Sequence, residues 1–529
     1  MKSVKPKRLV SRRHFLQLGA ATAAGGLVQV YGPAAQPAVT PVVPVKGDAP
    51  KRGGTFTLAL SAGIQRFAPY VLTPGNFAIQ RALFNTPVRY DSQLNPQPEL
   101  AEKWDFSADG RTMTLKLRRG VKFHSGREFT AEDVRFCVQF ASTDESSTIR
   151  QLYSAITSVE VPDKYTAVLK FQNVNPSIFD LLDMLYIIDR EAVKDLAKTA
   201  VGTGPFRLER YLPNDRVEFA AFKDYWEKGK PYLDRCVVRQ IPDLASLTIN
   251  LESGEVDCIW MPNYIDHLRL QQAGGRFVTD IGAPSAAVFN LAINCQAEPF
   301  TNKKVRQAMA WSIDRARFCK AVLRGLVEPT CLMWPPHSWA FFKDLEGKIG
   351  FDLDRARDLL KEVGLEKGFQ TEILTSSKRS FGMGDIAQIL QADLKKIGVN
   401  AKVTDLESGL WDARWNKGDF LMTIHTYGRA SRDPGSLLTG AKIWYTAKNG
   451  GPTRFDSPEW DGLASDVQSG LDREKRKGLC RKIQEMALDE CFTNPIAPQQ
   501  RTWAYWDYVK GFGYNLDNSA YFADIWLDR

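Results

Sequence analysis

Catalysis by a side-chain nucleophile or a bound metal leaves recognisable spacings in a chain, and these 529 residues contain none of them. There is no G-x-S-x-G elbow, no H-E-x-x-H pair and no G-x-x-x-x-G-K-[ST] phosphate loop, and Gly202-Thr203-Gly204 lacks the third glycine of a dinucleotide loop. His124, His267, His337 and His425 each stand alone, and Cys137, Cys236, Cys258, Cys295, Cys319, Cys331, Cys480 and Cys491 include no C-x-x-C. The expectation is a protein that is not an enzyme and needs no metal or cofactor. What the chain does offer near residue 430 is a close group of charges. Arg429 and Arg432 place two guanidinium groups close together, a pair that matches a carboxylate, phosphate or sugar acid through bidentate hydrogen bonds. Asp433 can meet an amine, or it can cap a helix that Pro434 starts, since Asp at the cap and Pro at the first position are both favoured there.

The elements that would position such a cluster can be read from the spacing of apolar residues. Met113, Leu115 and Leu117 alternate with polar neighbours, as do Val399, Ala401 and Val403, which predicts strands with one buried face. Ala131, Val134, Val138 and Ala141 recur at helical spacing, with Thr130 at the cap and Asp133 three residues on. Val305, Ala308, Met309 and Ser312 line a second helix face, Asp314 can cap a third helix, and Gly325 can end it. Ile386, Ile389, Leu390, Leu394 and Ile397 form a stripe closed by Gly398 that leads into the strand at Val399. Helix followed by strand, repeated, predicts an α/β layer. At this length, two domains are expected, because single cores stop growing near ~250–300 residues.

The formal charge is +9, but Lys2, Lys5, Lys7, Arg8, Arg12 and Arg13 fall in the first 38 residues, where there are no acids; without them +3 remains. Elsewhere bases and acids are mixed, with no basic stripe of the kind that follows a phosphate backbone, so nucleic acid is not an expected partner. The amino terminus reads as an export address: basic residues to Arg13, a Gly/Ala-rich apolar stretch from Leu16 to Val30, and small residues near Ala34–Ala38. Ser11-Arg12-Arg13-His14-Phe15-Leu16 resembles the twin-arginine signal. The apolar stretch is too short to span a bilayer, and no cysteine follows it for lipid attachment. We therefore expect a signal peptide over 1–38, a flexible leader over 39–52 and a soluble exported protein, in a compartment where one disulfide is possible.

Several segments of the mature chain resemble family 5 of the extracellular solute-binding proteins, the group of dipeptide and oligopeptide receptors. Gly53-Gly54-Thr55-Phe56 opens the first strand as in that family. Pro98-Glu99-Leu100-Ala101-Glu102-Lys103-Trp104, then Leu117 to Gly126, Thr130 to Val134, Gly202-Thr203-Gly204-Pro205-Phe206, Tyr225-Trp226, Leu251 to Asp257 and Val305-Arg306-Gln307-Ala308 follow in the family order. Most of these have a scaffold meaning of their own: Leu117 to Gly126 is a strand ending in a tight turn, and Thr203-Gly204-Pro205 a turn into the strand of Phe206 and Leu208.

The resemblance implies a two-lobed periplasmic-binding-protein fold of the large peptide-binding subclass. Lobe I would comprise 53–283 plus 500–529, with a subdomain near 93–197, and lobe II 284–499. It implies a monomeric periplasmic receptor that closes on a small molecule or short peptide and delivers it to the permease and ATPase of an ABC importer. In peptide-binding relatives an aspartate just ahead of the Asp-Pro pair holds the ligand's amino terminus; aligned on Asp433-Pro434, that position is Ala430. Short peptides remain the leading substrate class, with an opine, oligosaccharide or sugar acid as the alternative that Ala430 and the two arginines suggest. Phe84, Trp411, Trp415, Tyr427, Trp444 and Tyr514 fall in segments corresponding to cleft-lining loops, and two or three of them are expected to touch ligand alongside Arg429, Arg432 and Asp433.

Overall fold

The computed structural model describes residues 49–529 apart from 65–66, 72, 92–93, 282–286, 429–431 and 516–518. The expected signal peptide and most of the leader lie outside the described residues. Three sheets of four or more strands organise the described chain. The first joins β1 (Thr55–Leu60), β8 (Phe206–Leu212), β9 (Arg216–Ala221), β10 (Arg235–Gln240), β11 (Cys258–Trp260), β12 (Phe277–Ile281) and β18 (Thr502–Trp506) in the order β12-β18-β11-β1-β10-β9-β8. At its centre β1 runs parallel to both β10 and β11. Phe56, Leu58, Ala59 and Leu60 are all buried, so β1 is covered on both faces, as a parallel strand must be.

The second sheet holds β13 (Ala287–Ile293), β14 (Gln370–Thr375), β15 (Asn400–Asp405), β16 (Met422–Tyr427) and β17 (Thr493–Gln499), ordered β15-β14-β16-β13-β17. Here β14 is parallel to β15 and β16, while β13 runs antiparallel to β16 and β17. The apolar stripe from Ile386 to Ile397 lies on the helix Met383–Lys395, and Gly398 turns the chain at φ +80° into β15. The strand starts at Asn400, one residue later than the alternation suggested, with Val399 fully buried beside it. Asp314 caps the helix Arg315–Ala321 by accepting the Arg317 amide at 2.9 Å. Val305, Ala308 and Met309 form the buried face of the helix Lys303–Trp311.

The third sheet, β4 (Ala101–Phe106), β5 (Thr112–Leu117), β6 (Ile156–Asp163) and β7 (Thr166–Phe171), has the order β4-β5-β7-β6 and packs the helix Ala131–Thr143 against it. Two short pairs, β2 (Val88–Tyr90) with β3 (Pro96–Pro98) and β19 (Val509–Lys510) with β20 (Trp526–Leu527), complete the strands. The chain leaves the first sheet after β12 to enter the second at β13, and returns from β17 through residues 500 and 501 to β18. Most of the buried apolar residues form two clusters: one around the first and third sheets, one around the second.

Close approach explains the glycines of Gly202-Thr203-Gly204-Pro205. A Cβ at Gly202 would lie 2.2 Å from the Leu83 carbonyl oxygen, and one at Gly204 would lie 2.4 Å from the Leu83 carbonyl carbon. The imidazole of His124 clasps the same loop: Nδ1 accepts the Gly202 amide at 3.2 Å and Nε2 donates to the Gly204 carbonyl at 3.0 Å. Only the neutral ring can do both. Burial pushes the His124 pKa down to about 4, opposed by its bond to the Gly204 carbonyl. Because the unfolded ring takes up its proton nearer 6.5, this clasp contributes its stability above that value and loses it as pH falls from about 6.5 to 4. His124→Ala should cost about 1–3 kcal/mol at pH 7, and the gap from the parent should narrow by pH 5. Denaturant unfolding at the two pH values measures this; a gap that does not narrow contradicts it.

Candidate ligand-binding site

In open α/β sheets ligands bind beyond the carboxyl ends of the parallel strands. In the first sheet those ends are Leu60 of β1, Gln240 of β10 and Trp260 of β11; in the second they are Thr375, Asp405 and Tyr427 of β14, β15 and β16. Trp260 pairs across the strands with Trp503, which in turn pairs with Asp280. The two indoles stack at 5.4 Å, and Tyr514 stacks on the far side of Trp503 at 5.7 Å while donating its hydroxyl to Asp280. Arg501, on the returning crossing, holds its guanidinium 5.4 Å from the Trp260 ring. Both indole N–H groups are buried without a hydrogen-bond partner among the described residues. Across the junction, Phe381, which follows β14 and is 55% exposed, meets Tyr264 at 5.7 Å.

The structure separates the aromatics proposed from the sequence into different settings. Trp411 and Trp415 stack on each other at 5.9 Å and cover His425, with Trp411 donating to the Thr423 hydroxyl at 3.1 Å. Both are buried, with Arg379 4.9 Å from the Trp411 ring. Burial and the nearby Arg379 push the His425 pKa down to about 3, so the ring is neutral. Tyr427 is buried against Trp444 at 5.4 Å and donates to the Met333 carbonyl at 2.9 Å. Phe84 lies beneath the Gly202–Gly204 loop. In this conformation Phe84, Trp411, Trp415, Tyr427 and Trp444 pack inside the protein, and of the six aromatics Tyr514 alone is only half-buried.

Arg429 and Ala430 lie outside the described residues. Arg432 does not stand open to solvent: it is 2% exposed and pairs with Asp183 at 3.1 Å. The two-arginine anion pocket expected from the sequence thus has one of its charges matched internally. Asp433 caps the helix Pro434–Gly440 by accepting the Gly435 amide at 2.9 Å, as the Asp-Pro pair predicts. Its carboxylate also accepts from Arg476 at 3.0 Å and from the Ser177 hydroxyl at 3.0 Å.

The partners in this cluster are the residues that sequence reasoning missed. Asp183 is 1% exposed and gives one oxygen to Arg81 at 2.8 Å and the other to Arg432. Arg81, from the helix Pro74–Leu83, also reaches Glu99 at 3.0 Å and lies between the rings of Tyr186 and Tyr521. Glu99 belongs to the Pro98–Trp104 segment read as scaffold; burial, the largest single effect, raises its pKa, but Arg81, Arg89 and the hydrogen bonds from Thr86 and Asn85 together outweigh it and hold the carboxylate below its ordinary value. Asp180, one turn before Asp183, accepts from Tyr90 at 2.7 Å and from the Ser436 hydroxyl. Burial raises its pKa to about 6, with Arg432 opposing and Asp433 reinforcing that rise. The only signal in the sequence was the Asp180-x-x-Asp183 spacing on one helical turn.

Among the described residues no group of three or more His, Cys, Asp or Glu side chains could hold a metal ion. All eight cysteines are free thiols, and burial raises the pKa of Cys137, Cys236, Cys258, Cys295, Cys319, Cys480 and Cys491. No described helix is long and apolar enough to cross a membrane.

The chain is similar over most of its length to proteins that capture solutes. It is 26% identical over 481 residues to heme-binding protein A of Haemophilus influenzae, covering 84% of this chain and 87% of that protein. It is 27% identical over 465 residues to the dipeptide-binding protein of Escherichia coli K12, covering 80% and 85%. The fold superposes with a TM-score of 0.75 on the ABC transporter-associated periplasmic binding protein DppA of Helicobacter pylori in complex with the peptide STSA; that match is 25% identical and covers 90% of this chain and 99% of that one. Residues 95–448 match the model of the bacterial extracellular solute-binding proteins, family 5 Middle, so this chain, with its mixed α/β fold, belongs to that family of binding proteins and is a receptor, not an enzyme.

Proposed function

We propose that the chain is the exported substrate-binding component of an ABC importer, working as a monomer in the periplasm and handing its solute to a membrane permease and ATPase. Lobe I would be 53–283 with 500–529, carrying the subdomain near 93–197, and lobe II 284–499. What supports these boundaries is that the first sheet draws its strands from 55–281 and 502–506 and the second from 287–499, with only two crossings between them. Solute binding favours the conformer in which both lobes touch it, which is what closes such a fold.

The solute we assign by family and relatives is a short peptide: the similar E. coli protein is a dipeptide-binding protein, and the H. pylori structure is a complex with the peptide STSA. The observation that carries this choice is the internal pairing of Arg432 with Asp183, which matches one of the two charges of the expected anion pocket within the protein. Tyr514 and Arg429 are the residues we assign to solute contact, with Trp411, Trp415, Tyr427, Phe84 and Asp433 supporting the walls. Ala430, at the position of the amine-binding aspartate in peptide receptors, favours the second reading of an opine, oligosaccharide or sugar acid.

Thermal denaturation of the protein, stripped of carried solute by unfolding and refolding, decides between them. A solute at ~100 times its dissociation constant adds about 2.7 kcal/mol, a rise of ~2 °C or more in a chain of this size. Di- and tripeptides should give that rise; a rise from anions or sugars alone contradicts the peptide reading. For export, replacing Arg12 and Arg13 together by Lys should leave the protein in the cytoplasm, and undiminished export would contradict the twin-arginine route.

A further inference from the structure

We infer that the segment Ser177–Asp183 and the turn Arg432–Ser436 form a latch between the two lobes, and that Asp180 makes its closure acid-dependent. The inference rests on the two-lobe reading above but not on which solute is bound. Ser177–Asp183 lies between β7 and β8, in the part of the chain that builds the first and third sheets; Arg432–Ser436 lies between β16 and β17 of the second. Among the described residues, these hydrogen bonds cross from one to the other. Arg432 donates to Asp183 at 3.1 Å, Ser436 donates its hydroxyl to Asp180, the Asp433 amide donates to Asp180 at 3.3 Å, and the Ser177 hydroxyl donates to Asp433 at 3.0 Å. Asp180, Asp183 and Arg432 are each at most 2% exposed, so separating the lobes would bring all three into water.

The charges around Asp180 come from every side. Tyr90 donates to it from β2, Ser436 from the helix Pro434–Gly440, and the turn before that helix presents Arg432 as a cation and Asp433 as a second carboxylate. Asp183 and Arg81 stand one turn further along, and Arg476 holds Asp433. One carboxylate facing another in a buried setting takes up a proton more readily than it does in water. With the latch shut the Asp180 pKa is about 6; hydrated in an open form, it returns toward its ordinary value near 3.8. A proton is therefore taken up on closing between about pH 4 and 6, and acid shifts the equilibrium toward the shut form. On protonation at Oδ2, Oδ1 still accepts from Tyr90 while Oδ2 donates to the Ser436 hydroxyl, so both contacts survive with the second one reversed.

Single-molecule energy transfer between dyes at the exposed positions 249 and 410, attached through unnatural amino acids, reads the closed-to-open ratio of the solute-stripped protein. The parent ratio should rise about tenfold from pH 7.5 to pH 5. Asp180→Asn, an uncharged stand-in, should be more closed than the parent at pH 7.5 and should lose the pH dependence. Arg432→Gln should lower the ratio at both pH values; should that variant fail to fold, the Asp180→Asn comparison decides alone. A parent ratio that does not move with pH, or an Asp180→Asn ratio that moves as the parent's does, overturns the inference. Thermal stabilisation by solute, measured on the same samples, separates the two proposals: a protein that still binds but shows no pH-dependent closure remains a receptor without this latch.

Discussion

The carboxylate of Asp183 ties the part of the chain that builds the first and third sheets to the part that builds the second. One of its oxygens is taken by Arg81, which belongs to the first helix, and the other by Arg432, which enters from the second sheet. Each of the three charged groups is almost fully buried. Burying an ion costs several kcal/mol unless its partners and remaining hydrogen bonds are in place, so the geometry around Asp183 has to be satisfied as a unit. Arg81 meets this by also binding Glu99, Thr86 and the Asp183 carbonyl between two tyrosine rings. A buried ionic junction of this kind adds less to stability than an apolar one of equal size. What it supplies is a single permitted alignment of the parts it joins.

That constraint explains much of what surrounds it. Asp433 is committed three times over, to its helix cap, to Arg476 and to Ser177, which fixes the turn through which the second sheet approaches Asp180. Arg429, to which solute contact is assigned in the proposed function, precedes this turn by three positions in the sequence, so in that reading solute contact and junction depend on the same stretch of chain. A receptor of this type needs a closed form that is only slightly disfavoured when empty, because a large bias either way would be subtracted from solute affinity or would trap the solute. The acid response of the junction opposes that of the buried histidines. Protonation relieves Asp180, whereas His124 and His425 are held neutral and oppose protonation.

What the sequence made legible was local. The caps at Asp314 and Asp433, the stripe from Ile386 to Ile397, the turn at Gly398 and the α/β class all follow from residues within a few positions of one another. Asp433 illustrates the boundary: its capping bond to Gly435 was readable from the Asp-Pro pair, but its bonds to Ser177 and Arg476 were not. The Asp183–Arg432 pair spans 249 positions, and nothing in either neighbourhood marks one as the partner of the other. The aromatics show a different limit. A tryptophan under a helix and a tryptophan on a cleft wall have the same local pattern, since both fall on an apolar face; only packing places Trp411 and Trp415 over His425 and leaves Tyr514 half-buried. The glycines of the Gly202–Gly204 loop were read as a turn, whereas their need is steric, set by the Leu83 backbone lying against them.

The account stands on one claim: a solute is captured between two lobes that close around it. Small-angle X-ray scattering of the solute-stripped protein, before and after addition of a solute that stabilises it, tests this most directly. The radius of gyration should fall on binding, because closure brings the two sheets' halves together. Stabilisation with an unchanged radius of gyration would place the solute somewhere other than between the lobes and would contradict the account.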